Sequence, residues 1–213
     1  ESELLNSTNS PAILTYSVTP TTPDGCTSSD PFIVSVTVNP LGQVDNPGDQ
    51  EFCNNDNISI NFTTDNTGGD TTYSWTNTNS AIGLSNSGSG NINVTATNTT
   101  NDAITSTVTV TPSFEGCEGT PQTFTITVNP EPSIDNIEQE VCTGSGISIT
   151  PTDGTIPSGT TYSWDAPTSS PSGVITGGNS GTDETTITES ELLNSTNSPA
   201  ILTYSVTPTT PDG

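Results

Sequence analysis

Apolar and polar residues alternate along this chain in short runs separated by Gly, Pro, Asn and Asp. Leu14, Tyr16 and Val18 alternate with Thr15 and Ser17; after a Pro/Asp/Gly turn, Phe32, Val34, Val36 and Val38 alternate with Ile33, Ser35 and Thr37. A period of two places each set on one face of an extended strand, so these runs predict an antiparallel pair. Asn39-Pro40 ends the second run, since proline cannot donate to a ladder. Five more strands are predicted from Ile58, Ile60 and Phe62; Thr71 to Thr76; Ile92, Val94 and Ala96; Ile104 to Val110; and Phe124, Ile126 and Val128. Asp65 to Asp70 reads as a turn and Asn77 to Gly90 as a loop, while Ile147 and Ile149, then Tyr162 and Trp164, repeat the strand pattern. The one helical signal is Thr188 to Leu193: Thr188 and Glu191 have capping-box spacing before Leu192 and Leu193, which predicts a single helical turn.

The strands belong to a repeat. Glu1 to Gly25 recurs without change as Glu189 to Gly213, a period of 188 residues. Identity of that length marks a slice of a longer tandem array, cut inside a module, so a cysteine is expected after Gly213 as Cys26 follows Gly25. A weaker repeat of about 90 residues lies within the period: Val38-Asn39-Pro40 returns as Val128-Asn129-Pro130, Tyr73-Ser74-Trp75 as Tyr162-Ser163-Trp164, and Val18-Thr19-Pro20 as Val110-Thr111-Pro112. The chain therefore divides into residues 1–40, the closing part of a module; 41–130, a complete module of about seven strands; and 131–213, the opening part of a second module that the next repeat completes. The fold class is all-β, a tandem array of immunoglobulin-like β-sandwiches.

Composition narrows the partners. Only 27% of the residues are hydrophobic, but Thr supplies strand positions and Asn and Ser supply turns, which implies thin cores rather than a disordered tail. The 24 acidic residues face no Lys, Arg or His, a net charge of −24, so nucleic acid is excluded and no side-chain ion pair exists. Screening of such a surface requires solvent cations, as in a salty extracellular medium. No apolar run reaches 18 residues, so nothing here predicts membrane insertion.

Among residues that could carry chemistry, the four cysteines come first. Cys53 and Cys117 fall in the complete module, before its first core strand and in the turn before its last, and predict a disulfide. Cys26 and Cys142 are each expected to pair with a cysteine of a neighbouring repeat. Such a bridge would add about 3 to 4 kcal/mol and imply an oxidising compartment. Trp75, Trp164, Tyr73 and Tyr162 could form a glycan platform, but a lone Trp on the strand after the first core strand is the centre of an immunoglobulin-like core, and they are read as core anchors. Asp45, Glu51, Asp135 and Glu140 recur at the two module entrances and are the candidate calcium ligands, although no EF-hand loop is present. No other cofactor is expected. Sequons at Asn6, Asn57, Asn61, Asn93, Asn98 and Asn194 are what an Asn/Ser/Thr-rich composition produces. Without His or Lys a Ser or Cys nucleophile has no base, so an enzyme is not expected.

A Cys near the start, Tyr-x-Trp on a central strand, a Val-Thr-Pro strand, a Gly-Cys turn and a closing Val-Asn-Pro together resemble the PKD-like repeats of giant Bacteroidetes surface adhesins, the gliding-motility type exported by type IX secretion. Trp164-Asp165 keeps the start of the Trp-Asp-Phe-Gly-Asp-Gly signature of ordinary PKD domains. The resemblance implies a secreted, extracellular stalk or filament at the cell surface. Its expected partners are neighbouring repeats of the same polypeptide or filament and a surface polysaccharide. The alternative is a glycan- or calcium-dependent ligand-binding module of a secreted protein.

Overall fold

The computed structural model describes residues 3–211. The cysteine expected after Gly213, and the repeat positions Glu1, Ser2, Asp212 and Gly213, lie outside the described residues. Two compact units divide the chain, one built mainly from residues 1–127 and the other mainly from 128–213.

In the first, β1 (Ala12–Val18) and β2 (Phe32–Val38) form a separate antiparallel ribbon, with Val18 opposite Phe32 and Ala12 opposite Val38. Then follow β3 (Gln50–Cys53), β4 (Asn57–Ile60), β5 (Thr71–Asn77), β6 (Ser87–Ser89), β7 (Ile92–Thr95), β8 (Ile104–Phe114), β9 (Cys117–Glu118) and β10 (Gln122–Asn129). They make a sheet in the order β3-β10-β8-β5-β6, with β9 on β8, and a second sheet of β4 and β7. The alternation seen in the sequence is realised: Ile58, Ile60, Phe62, Ile92, Val108, Val110, Phe124, Ile126 and Val128 are all buried. Phe62 packs its ring against Tyr73 at 5.4 Å and edge-on to Phe124 at 6.3 Å. A two-residue turn, Glu115 (φ 48°) and Gly116 (φ 84°), joins β8 to β9 in the left-handed geometry that matches strand twist.

The segment expected to be a loop, Asn77 to Gly90, contains a turn of 3-10 helix at Ser80–Ile82, capped by the Asn79 side chain. It is held inward because Ile82 and Leu84 are buried and because Asn77 Nδ2 donates to the carbonyls of Asn79 (3.0 Å) and Leu84 (2.8 Å) while the Ser106 hydroxyl donates to Asn77 Oδ1.

The second unit carries β11 (Ser133–Ile134), β12 (Ser145–Ile149), β13 (Gly154–Thr155), β14 (Thr161–Trp164), β15 (Thr168–Ser170), β16 (Ile175–Thr176), β17 (Gly181–Glu184), β18 (Ile187–Asn194), β19 (Ile201–Thr203) and β20 (Val206–Thr209). Two three-stranded sheets, β12-β18-β16 and β17-β14-β20, enclose Ile147, Tyr162, Trp164, Ile187 and Leu192. The helical turn expected over Thr188 to Leu193 is instead the middle of β18. Pairing with β12 shifts register between Ser145 and Ile147, so one extra residue of β18 sets Glu189 and Leu192 both inward. This β-bulge produces the three-residue spacing that imitates a helix.

Candidate functional site

The site that distinguishes these modules is a structural one, built around each tryptophan and each closing strand. Trp75 lies opposite Gly88 and Trp164 opposite Gly181 on the neighbouring strand. Each glycine leaves room for the indole: a Cβ on Gly88 would stand 2.2 Å from the Trp75 ring, and one on Gly181 2.4 Å from the Trp164 ring. Buried indole N–H groups need an acceptor, and Trp75 Nε1 donates to the Gly90 carbonyl (3.1 Å), Trp164 Nε1 to that of Asn179 (2.9 Å). Both tryptophans and Tyr162 are buried and Tyr73 is half-buried. The cross-strand glycines were missed in the sequence because Gly88 and Gly181 sit among many turn glycines.

Three sequon asparagines share a second structural task. In Asn98-Thr99-Thr100-Asn101-Asp102 the Asn98 carboxamide oxygen accepts from the Thr100 amide (2.9 Å) and hydroxyl (2.7 Å), and the Thr100 hydroxyl donates to the Asp102 carbonyl (2.9 Å). Asn98 Nδ2 donates to the Asp102 carbonyl (2.8 Å) and to the carbonyl of Val128 near the end of β10 (2.7 Å). Asn6 forms the same turn with Thr8 and Ser10 and donates to the Val38 carbonyl at 2.7 Å. Asn194 forms it with Thr196 and Ser198. At Asn6 and Asn98 the pentapeptide therefore clamps the closing Val-Asn-Pro strand. The signal was in the sequence, as three pentamers Asn-[Ser/Thr]-Thr-Asn-[Ser/Asp], but its residues also spell the sequon.

Glu189 is a buried carboxylate of the second unit. It accepts from the Asn179 amide (2.7 Å), Asn179 Nδ2 (2.8 Å) and the Tyr204 hydroxyl (3.1 Å). Burial first, then the negative charge of Glu189 and its hydrogen bond, push the Tyr204 phenol well above its ordinary range. Burial likewise raises the phenols of Tyr73 and Tyr162. On the other unit the Thr125 amide donates to Asp49 Oδ1 (2.7 Å) and holds that carboxyl below its ordinary value. An open cleft of about 490 Å³ lies in the second unit, where Ser163, Asp165, Thr168, Thr182, Ser205 and Thr207 present hydroxyls and one carboxylate.

Comparison with protein families yields two matches to the PKD-like domain, over residues 50–132 and 139–213. The chain belongs to the PKD-like family. No curated protein matches it. PKD-like modules are immunoglobulin-like β-sandwiches, typically extracellular and generally non-catalytic, and no helix among the described residues is long and apolar enough to cross a membrane.

The PKD-like topology corrects the expected disulfide. The amide of Asn54, next to Cys53, donates to the carbonyl of Asn129 at the C-terminal end of β10 (2.9 Å), whereas Cys117 pairs with Phe114 beyond the other end of that strand. The eight residues of β10 alone span about 27 Å at ~3.4 Å each, against the roughly 7 Å that a disulfide tolerates between Cα atoms. Among the described residues no disulfide forms. Cys142 and Cys26 occupy the positions equivalent to Cys53 and Cys117 and are exposed, and the cysteines they are expected to pair with belong to neighbouring repeats outside these 213 residues.

The candidate calcium ligands are likewise not assembled. Asp45 Oδ2 accepts from the Thr63 hydroxyl (2.6 Å), and Glu51, Asp135 and Glu140 are exposed. Among the described residues no three acidic or cysteine side chains converge as a metal would need.

Proposed function

We propose that this chain is a structural repeat of a long secreted adhesin or extracellular filament, supporting surface attachment or gliding in the manner of type IX cargo. The observation that carries this reading is the unchanged 25-residue segment at a period of 188 residues in a chain of PKD-like modules. Modules that bury their apolar face internally and recur in tandem add length. A surface without a single Lys, Arg or His keeps neighbouring stalks apart and soluble. Its partners are then the adjoining repeats, and its chemistry is not catalytic.

Antibodies raised against residues 41–130 test this on intact, unpermeabilised cells. Surface labelling, and reduced attachment when the repeats are deleted from the gene, are expected; labelling only after lysis overturns the reading. A second reading, a glycan-binding module, is favoured by the hydroxyl-lined cleft beside Asp165. Binding to a glycan array that disappears in Asp165→Ala supports it, and an inert repeat favours the stalk.

A further inference from the structure

The asparagine turn holds more than its own closing strand, because its fourth residue bonds to chain beyond the Val-Asn-Pro boundary. In the first unit the Thr67 amide donates to the Asn9 carbonyl (2.8 Å) and Gln43 Nε2 donates to Asn9 Oδ1 (3.0 Å). The backbones come close there, since a Cβ on Gly68 would stand 3.3 Å from Pro11 Cδ. The second unit, which takes in residues 97–104, repeats the bond: the Ile156 amide donates to Asn101 Oδ1 (2.9 Å). The positions correspond. Asn101 is fourth in the turn that starts at Asn98, as Asn9 is in the turn that starts at Asn6, and Ile156 precedes Tyr162 by the same interval as Thr67 precedes Tyr73. The contact persists although the loop has diverged from Thr67-Gly68 to Ile156-Pro157.

The chain that crosses the boundary is itself held. Pro40 and Gly42 are buried, the Gly42 amide donates to the Cys117 carbonyl (3.0 Å), and a Cβ on Gly42 would stand 2.8 Å from the Pro112 backbone. Buried Asn66 accepts from the Gln43 amide (2.7 Å) and donates to the Leu41 carbonyl (3.2 Å). These bonds close a ring: Asn6 to Val38, Val38 through Pro40 to Gln43, Gln43 to Asn66, and Thr67 back to Asn9. In the second unit Pro130 is buried and Asn55 Nδ2 donates to the Glu131 carboxylate (2.8 Å). With the connector fixed, the turn and the loop are already near each other, so little entropy is lost when their bond forms.

We propose that the asparagine turn is a docking element for the module that follows it in the chain, and that its receptor is the loop just ahead of the Tyr-Ser-Trp strand. The first asparagine of the turn clamps the module that ends, and the fourth engages the module that begins. A single flexible connector would leave a module free to swing, and a second attachment beside it removes that freedom. The docking rests on the repeat and on these two contacts, and holds wherever the chain resides; surface labelling of cells could fail without touching it.

Amide hydrogen exchange and 15N relaxation on the intact chain test it. Asn101→Ala should speed exchange at Ile156 about tenfold, and Asn101→Asp, which keeps an acceptor oxygen, should leave it slow. In the unaltered chain the amides of β1 and β2 should share the motion of those of β5, β8 and β10. The double variant Asn9→Ala, Gln43→Ala should give β1 and β2 a faster motion of their own and speed exchange at Thr67. Tryptophan fluorescence should show the same melting in every variant, since none of these side chains lies in a core. Exchange or relaxation that is unchanged by the alanine substitutions in either unit, or a β1–β2 ribbon that moves independently in the unaltered chain, overturns the proposal.

Discussion

At Asn98, the side chain that a sequon would offer for modification is 2% exposed and already donates two hydrogen bonds. Replacing it by alanine leaves the Val128 carbonyl and the Thr100 amide without this partner, and Asn98→Ala should lower stability by about 2 to 3 kcal/mol in urea denaturation. Asn6→Ala, which removes the same bonds from an exposed ribbon, should cost clearly less. Tyr204 supports a pH prediction. A phenol whose folded value is raised contributes stability in full below its unfolded value of about 10 and loses it as pH climbs toward the folded value. The second unit should therefore melt in alkali as its phenolate absorbance appears. Glu189→Gln removes the charge but not the burial, so it should bring the Tyr204 transition down only part of the way.

Among the elements, the strands with clean alternation were legible from sequence: β4, β5, β7, β8 and β10 fall where Ile58, Trp75, Ile92, Val108 and Ile126 predict them. Two kinds of element were not. The bulge in β18 reads as a helical turn because an inserted strand residue and an α-turn both bring positions three apart to one side. Six residues are also too few to nucleate a helix unless packing demands one. The pairing of cysteines failed for a related reason, since nearness in the strand list does not say at which end of a strand a turn lies. With Cys53 and Cys117 at opposite ends of β10, a strong reductant should leave the melting temperature of the PKD-like modules unchanged. A fall of several degrees on reduction would show a bridge that this topology forbids.

For the whole molecule the decisive quantity is charge, −24 with no cation to pair it. Thermal stability should rise with ionic strength up to physiological sodium chloride, and calcium at matched ionic strength should add little, because no ligand set converges among the described residues. Melting curves in the two salts check this, and a large excess effect of micromolar calcium would point to an ordered site. The chain also contains its own control for what a sequence can determine, since the duplicated segment is described twice, over residues 3–23 and 191–211. Both copies form the asparagine turn, at Asn6 and at Asn194, because its donors and acceptors lie within five residues of one another. Both also place strand residues in Ala12 to Val18 and its duplicate, since alternation and Thr content are local properties. Burial and partners differ. Leu4 is 40% exposed and Leu192 8%, and Val18 faces Phe32 where Val206 faces Trp164. The sequence by itself determined the asparagine turns and the periodicity of the regularly alternating strands. Only the tertiary structure decided which face meets a core and which strand lies alongside, because those depend on contacts with residues distant along the chain, and these differ between the two copies.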